Sequence, residues 1–131
     1  MFEAPTEWIS PESFPDLKDH KYIAIDLETR DPGLKSRGSG ALVGDGEIVG
    51  IAVAVEGWSG YYSFGHLKQN HWDELSVMSW IKDVCALPVP KIFHNAMYDV
   101  CWLRAYGVKF NGHIVDTMVM AALVDENKFS Y

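Results

Sequence analysis

At 131 residues the chain has room for one domain and one core, and 48% hydrophobic with 22% charged residues is an ordinary globular balance. A formal net charge of −7 excludes a simple basic DNA-binding surface, though not an enzyme that meets nucleic acid through bound cations. Cys85 and Cys101 form no Cys-x-x-Cys pair, residues 1–10 contain no apolar leader and no stretch reaches transmembrane length, so a cytosolic (cytoplasmic) protein with reduced thiols is expected.

Residues 1–21 carry Pro5, Pro11 and Pro15 among acidic residues and read as an extended lead-in with one short turn, ahead of a domain over 22–131. Tyr22 to Leu27 is the central strand, rich in β-favouring residues. Arg30 to Gly46 is dense in glycine and charge and predicts a long surface loop. Glu47 to Val55 and Gly60 to Phe64 predict a hairpin joined by Glu56-Gly57-Trp58-Ser59, which the first strand extends to a three-stranded antiparallel meander.

A helix is expected from Asn70 or His71, with Asn70 as N-cap and Leu75, Val77, Met78, Trp80, Ile81 and Val84 at helical spacing, stopped by Pro88 and Pro90. Lys91 to Phe93 is a short strand, Ala96 to Tyr106 a helix closed by Gly107, and Val108 to Val115 a further strand. Asp116 then caps a helix from Thr117 to about Asp125. The order predicts an α/β domain with a mixed five-stranded sheet, three antiparallel strands then two more, and flanking helices. The chain closes on Lys128-Phe129-Ser130-Tyr131 with no turn or polar tail, and a longer parent is expected.

Asp26 and Glu28 lie two apart on the central strand and so share a face. Two like charges there repel, and a cation between them relieves the conflict; oxygen ligands suit Mg²⁺ or Mn²⁺. Taken alone, the pair is better read as two solvated acids at a strand end. Asp99, one helical turn after Asn95, reads alone as an acid serving its helix dipole. Together the three carboxylates can converge at one edge of the sheet, as a two-metal hydrolase requires.

The strand-borne Asp26-x-Glu28 followed by Asn95-x-x-Tyr98-Asp99 resembles the first two motifs of the DnaQ-like (DEDD) 3′→5′ exonucleases. More narrowly it resembles the proofreading domain of phage and prophage family A DNA polymerases, in the segments AIDLETRDPGLKSRGSG, GDGEIVGIAVAV and HNAMYDVCWLRAYGVKF. The resemblance implies a ribonuclease-H-like fold and two divalent cations, Mg²⁺ or Mn²⁺, held by Asp26, Glu28 and Asp99. It implies contacts from Thr29, Asn95 and Tyr98 to the 3′ end of single-stranded DNA, and a polymerase domain in the parent chain. The family's third motif, Tyr-x-x-x-Asp or His-x-x-x-x-Asp, does not follow Asp99: no Asp follows His113 at that spacing, and Tyr131 is the last residue. Asp116 is read first as a cap and second as a stand-in ligand, and His94 as lining the cleft or packing at its strand end.

Two other readings use the same residues: an RNase D-like RNA exonuclease, and a catalytically silent module that binds nucleic acid or a partner domain. His66 and His71 lack ligand spacing and read as solvated. Trp58, Trp72, Trp80 and Trp102 read as core or interface aromatics, and Arg30, Lys35 and Arg37 as loop cations able to meet a phosphate backbone.

Overall fold

In the computed structural model, which describes residues 10–68 and 70–124, the centre of the molecule is strand β1 (Ile23–Arg30). Ile23, Ile25 and Leu27 are buried on one face, while Asp26 and Glu28 are exposed on the other. The strand runs past the expected end at Leu27, because outward-pointing carboxylates leave the backbone ladder to β2 (Glu47–Val55) undisturbed. A bulge between Glu28 and Thr29 is the one irregularity in that ladder.

The expected loop between β1 and β2 contains two helical turns, α1 (Leu34–Arg37) and α2 (Gly40–Val43). Asp31 orders the loop by accepting from the Gly40 N–H through both carboxylate oxygens, at 3.0 and 3.1 Å. The hairpin link is tighter than predicted. Strand β3 (Trp58–Ser63) starts two residues early, with Val55 paired to Trp58, so only Glu56 and Gly57 turn the chain, and Gly57 takes a φ of 84°.

Helix α3 (Glu74–Ala86) is capped by Asp73, whose carboxylate accepts from the Ser76 N–H at 3.1 Å. Asn70 is therefore not its N-cap; it closes the preceding loop by bonding both backbone groups of His66. Leu75, expected on the apolar face, is solvent-exposed. Strand β4 (Lys91–Phe93) and helix α4 (Ala96–Ala105) follow, with Gly107 at φ 85° after the helix end. Strand β5 is only Ile114–Asp116. The start expected at Val108 fails because Asn111 turns to the end of α3, donating to the Ala86 and Cys85 carbonyls, and Gly112 takes a φ of 76°. Helix α5 (Thr117–Val124) buries none of its residues, and its expected end at Asp125 lies outside the described residues.

The sheet order is β3-β2-β1-β4-β5, antiparallel on the first side and parallel on the second. One core contains Ile23, Ile25 and Leu27 of β1, Val77 and Ile81 of α3, and Val100 and Leu103 of α4. The lead-in contributes to it. Leu17 is buried, and Phe14 packs against Tyr62, Trp72 and Trp80 with centroid separations of 5.2, 4.5 and 5.3 Å. The polar edges of three of these aromatics return to the lead-in: Tyr62 Oη donates to the Ser13 carbonyl, Trp80 Nε1 to the Pro15 carbonyl and Trp72 Nε1 to Ser10 Oγ. Phe14→Ala is expected to cost about 3 kcal/mol, the low end for truncating a packed aromatic, because Phe14 is only partly buried. Urea unfolding checks it, and an unchanged midpoint would mean that the lead-in merely trails along the surface.

Candidate functional site

Strand β1 is flanked by β2 and β4, so the chain travels outward through β2 and β3 and then crosses back through α3 to the other side of β1. The carboxyl ends of β1, β4 and β5 therefore lie along one edge, at the point where strand order reverses. Such switch points leave a crevice suited to ligands. Asp26, Glu28 and Thr29 reach this edge on β1, His94 and Asn95 just after β4, and Asp116 and Thr117 at the end of β5.

Asp99 lies in the first turn of α4, where its carboxylate is favoured by the helix dipole, yet it is only 4% exposed. Its Oδ2 is buried without a hydrogen-bond partner. Burial first, then the charge of Asp26, then that of Asp116 push its pKa up to about 7, against an opposing hydrogen bond with the Leu27 backbone. Asp26 and Glu28 also act together on Tyr61. Burial, then Glu28, then Asp26 raise that phenol to about 12. Asp26 is thus in electrostatic reach of Asp99 on one side and Tyr61 on the other. Among the described residues, no three His, Cys, Asp or Glu side chains gather closely enough to form a metal-binding group.

Thr29 and Tyr98 meet directly: their hydroxyls are 2.8 Å apart, and Tyr98 Oη also donates to Asp31 at 3.0 Å. This network joins the end of β1 to α4 and to the loop before α2. Asn95 takes a left-handed conformation, φ 68°, which asparagine tolerates better than most residues, and its side chain makes no cap bond. Asp116 supplies the missing cap. Its Oδ1 accepts from the N–H groups of Asn95 and Met118, both at 3.0 Å, and its Oδ2 from Ala96 at 2.9 Å. Burial works against its charge, but those bonds and one from Val119 prevail and hold the carboxyl below its ordinary range. His94 Nδ1 lies 2.9 Å from Thr117 Oγ1, which itself donates to the Phe93 carbonyl.

Two site-edge features escaped the sequence reading. Asp31 looked like one more loop acid, and its only signal was the Ser39-Gly40 helix start that it caps. Tyr61 was hidden by the hairpin register. With the two-residue turn it pairs with Ala52, which pairs with Asp26, whereas the expected four-residue link would have put it opposite Ala54.

No protein-family model matches the chain. A DNA-directed DNA polymerase of Pseudomonas phage M6 is 28% identical to it over 96% of its residues. The chain spans 20% of that polymerase's length.

Two outcomes follow from the carboxylates. A carboxyl raised from 3.8 to about 7 keeps its proton in the folded state where the unfolded chain has released it. Stability is therefore greatest below about pH 4 for this group and falls as pH rises to about 7, by on the order of 4 kcal/mol at about 1.4 kcal/mol per unit. Urea melts across that range are expected to show the fall, and Asp99→Asn to remove it. Asp116→Ala uncaps two helix starts, and is expected to cost about 2 kcal/mol at pH 7, read from the same unfolding curves.

Proposed function

We propose that the chain is the 3′→5′ exonuclease part of a phage-type DNA polymerase, with a ribonuclease-H-like fold and a two-metal carboxylate site. The observation that carries the proposal is Asp99: a buried carboxylate with an unpartnered oxygen, within the field of Asp26, at the switch-point edge of the sheet. Such a group is costly to keep ionised unless something positive meets it. The strand order and the likeness to the phage polymerase support the same reading.

The donor set fits hard divalent cations, since Asp26, Glu28 and Asp99 offer oxygen alone. These three would hold two Mg²⁺ or Mn²⁺ ions, which when bound would stabilise the attacking and leaving oxygens of phosphodiester hydrolysis. Asp26 would contribute to holding both ions, Glu28 would help to hold the ion that activates water, and Asp99 the ion that stabilises the leaving group. Thr29 meets the terminal nucleotide through its backbone, and Asn95 helps to hold the displaced strand or the loop beside Asp99. Tyr98 holds Thr29 in place through its hydroxyl, and the single-stranded 3′ end of DNA is the substrate. Asp116 remains a cap, because both of its oxygens are engaged by backbone N–H groups. Positioning of the water is left to a Tyr or His beyond these motifs, so the 131-residue chain by itself is expected to be slow.

The second reading, a silent nucleic-acid or partner-binding module, draws on the absence of a gathered three-carboxylate group among the described residues. Two measurements separate the readings. Millimolar Mn²⁺ is expected to raise the melting temperature of the chain and not that of Asp26→Ala, by mass action on the folded state. Release of mononucleotides from a 3′-labelled oligonucleotide is expected to be slow with this chain, fast with a polymerase-length parent and lost in Asp26→Ala of either. No Mn²⁺ shift, together with a parent that releases nothing, would favour the silent module.

A further inference from the structure

Strand β1 loses its regular pairing at the step between Glu28 and Thr29. Glu28 is paired with Gly50 but Thr29 with Ile48, so β2 carries one extra residue, Val49, at that step. The Val49 carbonyl turns away to the Phe64 and Gly65 N–H groups, and the Ile48 N–H goes to Tyr106 Oη. On the other side of β1, the pairing with β4 ends at Ala24. A bulge re-aims the side chains beside it, and here no second strand corrects them. Sheet pairing therefore fixes the direction of Glu28 and Thr29 less firmly than that of the residues before them.

Side chains supply what the ladder lacks. Tyr98 Oη donates to Asp31 Oδ2 at 3.0 Å, and a phenol has a single proton to give. In its 2.8 Å bond with Thr29, the threonine is therefore the donor. The relay runs one way, from Thr29 to Tyr98 to Asp31. Its far end is anchored, since Asp31 accepts from the Gly40 N–H through both oxygens. A Cβ at Gly40 would strike the Asp45 carbonyl and crowd Asp31 Oδ1, so only glycine lets the loop close on Asp31. The Gly40 carbonyl accepts from the Asp45 N–H, and the Asp45 carboxylate is paired with Arg37. The loop that begins at Asp31 is thus a brace set against the end of β1.

We propose that Asp31 is a positioning residue: through Tyr98 and Thr29 it locks the bulge and sets the aim of Glu28. Among the described residues Asp31 bonds to Gly40 and Tyr98 alone, so it acts on Glu28 through the relay and not by contact. The effect on bound cations rests on the two-metal reading; the relay itself can be tested without it.

Two measurements on the 131-residue chain test it. The first, in EDTA, follows the Glu28 backbone amide by two-dimensional NMR. Asp31→Asn keeps an acceptor for Gly40 but turns an N–H toward Tyr98, and is expected to displace that resonance. In a Tyr98→Phe background the same substitution should displace it no further, whereas an effect passed along the backbone would survive there. Equal displacement in both backgrounds, or none in the first, overturns the relay. The second measures the Mn²⁺ concentration that gives half of the rise in melting temperature. It is expected to increase about tenfold in Asp31→Asn, Tyr98→Phe and Thr29→Val, the low end for losing a group that orients metal ligands. Thr29→Ser, which keeps the hydroxyl, should restore it. A tie that is merely structural would lower the melting temperature and leave that concentration unchanged, which would overturn the positioning role. No Mn²⁺ shift in the unsubstituted chain counts against the two-metal reading instead, and the Glu28 amide then decides the relay by itself.

Discussion

The arrangement depends on the unequal pairing of β1. On one side β2 pairs with the strand from Ala24 to Arg30, but on the other β4 reaches only Ile23 and Ala24. The rest of that edge must find hydrogen bonds elsewhere, because a buried peptide group without a partner is costly. Asp99 meets part of the need through its bond with the Leu27 backbone. That bond favours the charged carboxylate, but burial first and the charge of Asp26 second outweigh it and push the pKa up. The need to satisfy a strand edge thus places an ionisable group where only a proton or a cation makes it comfortable.

Around that edge, most polar side chains act first as structural ties. Asp116 joins the starts of α4 and α5, and with them the ends of β4 and β5. Tyr98 joins Thr29 to Asp31, and Asp31 joins the loop that begins α2. At the opposite end of the sheet, Lys91 is fully buried and donates to the Leu87 carbonyl at the end of α3 and to Asn111, a favourable place for a cation beside a helix C-terminus. Its burial lowers its pKa, with the neighbouring Cys85 acting the other way. The candidate residues therefore sit on elements that are locked to each other, which is what precise positioning of a substrate demands.

The two faces of the sheet differ in kind. One is filled by Ile, Leu and Val beneath α3 and α4 and extended by the aromatic group that Phe14 completes. The other is lined with small residues, Ala24, Ala52, Ala54 and Gly60, which leave an open groove of about 740 Å³ leading to Asp26. Large side chains would close this face; alanine and glycine keep it accessible between Tyr61 and Ile92. Asp26 is therefore approached from the sheet face as well as from its edge.

Hydrophobic alternation and helical spacing sufficed to order the elements and to recognise the three antiparallel strands, because burial of one face dictates those periods wherever the chain goes. Asp26, Glu28 and Asp99 stood out only as a set, through the paired motifs, since alone the strand pair reads as solvated acids and Asp99 as an acid serving its helix dipole. Boundaries were less legible. Asp73 rather than Asn70 caps α3, and Asn111 with Gly112 cuts β5 short, because several polar residues could serve each end and local geometry selects one. The orphaned Asp99 oxygen, the double cap at Asp116 and the Tyr61–His66 pair over Gly50 were decided only by tertiary structure. The first two unite segments distant in the chain and the third depends on the β2–β3 register, and a sequence pattern carries burial periodicity but neither of these.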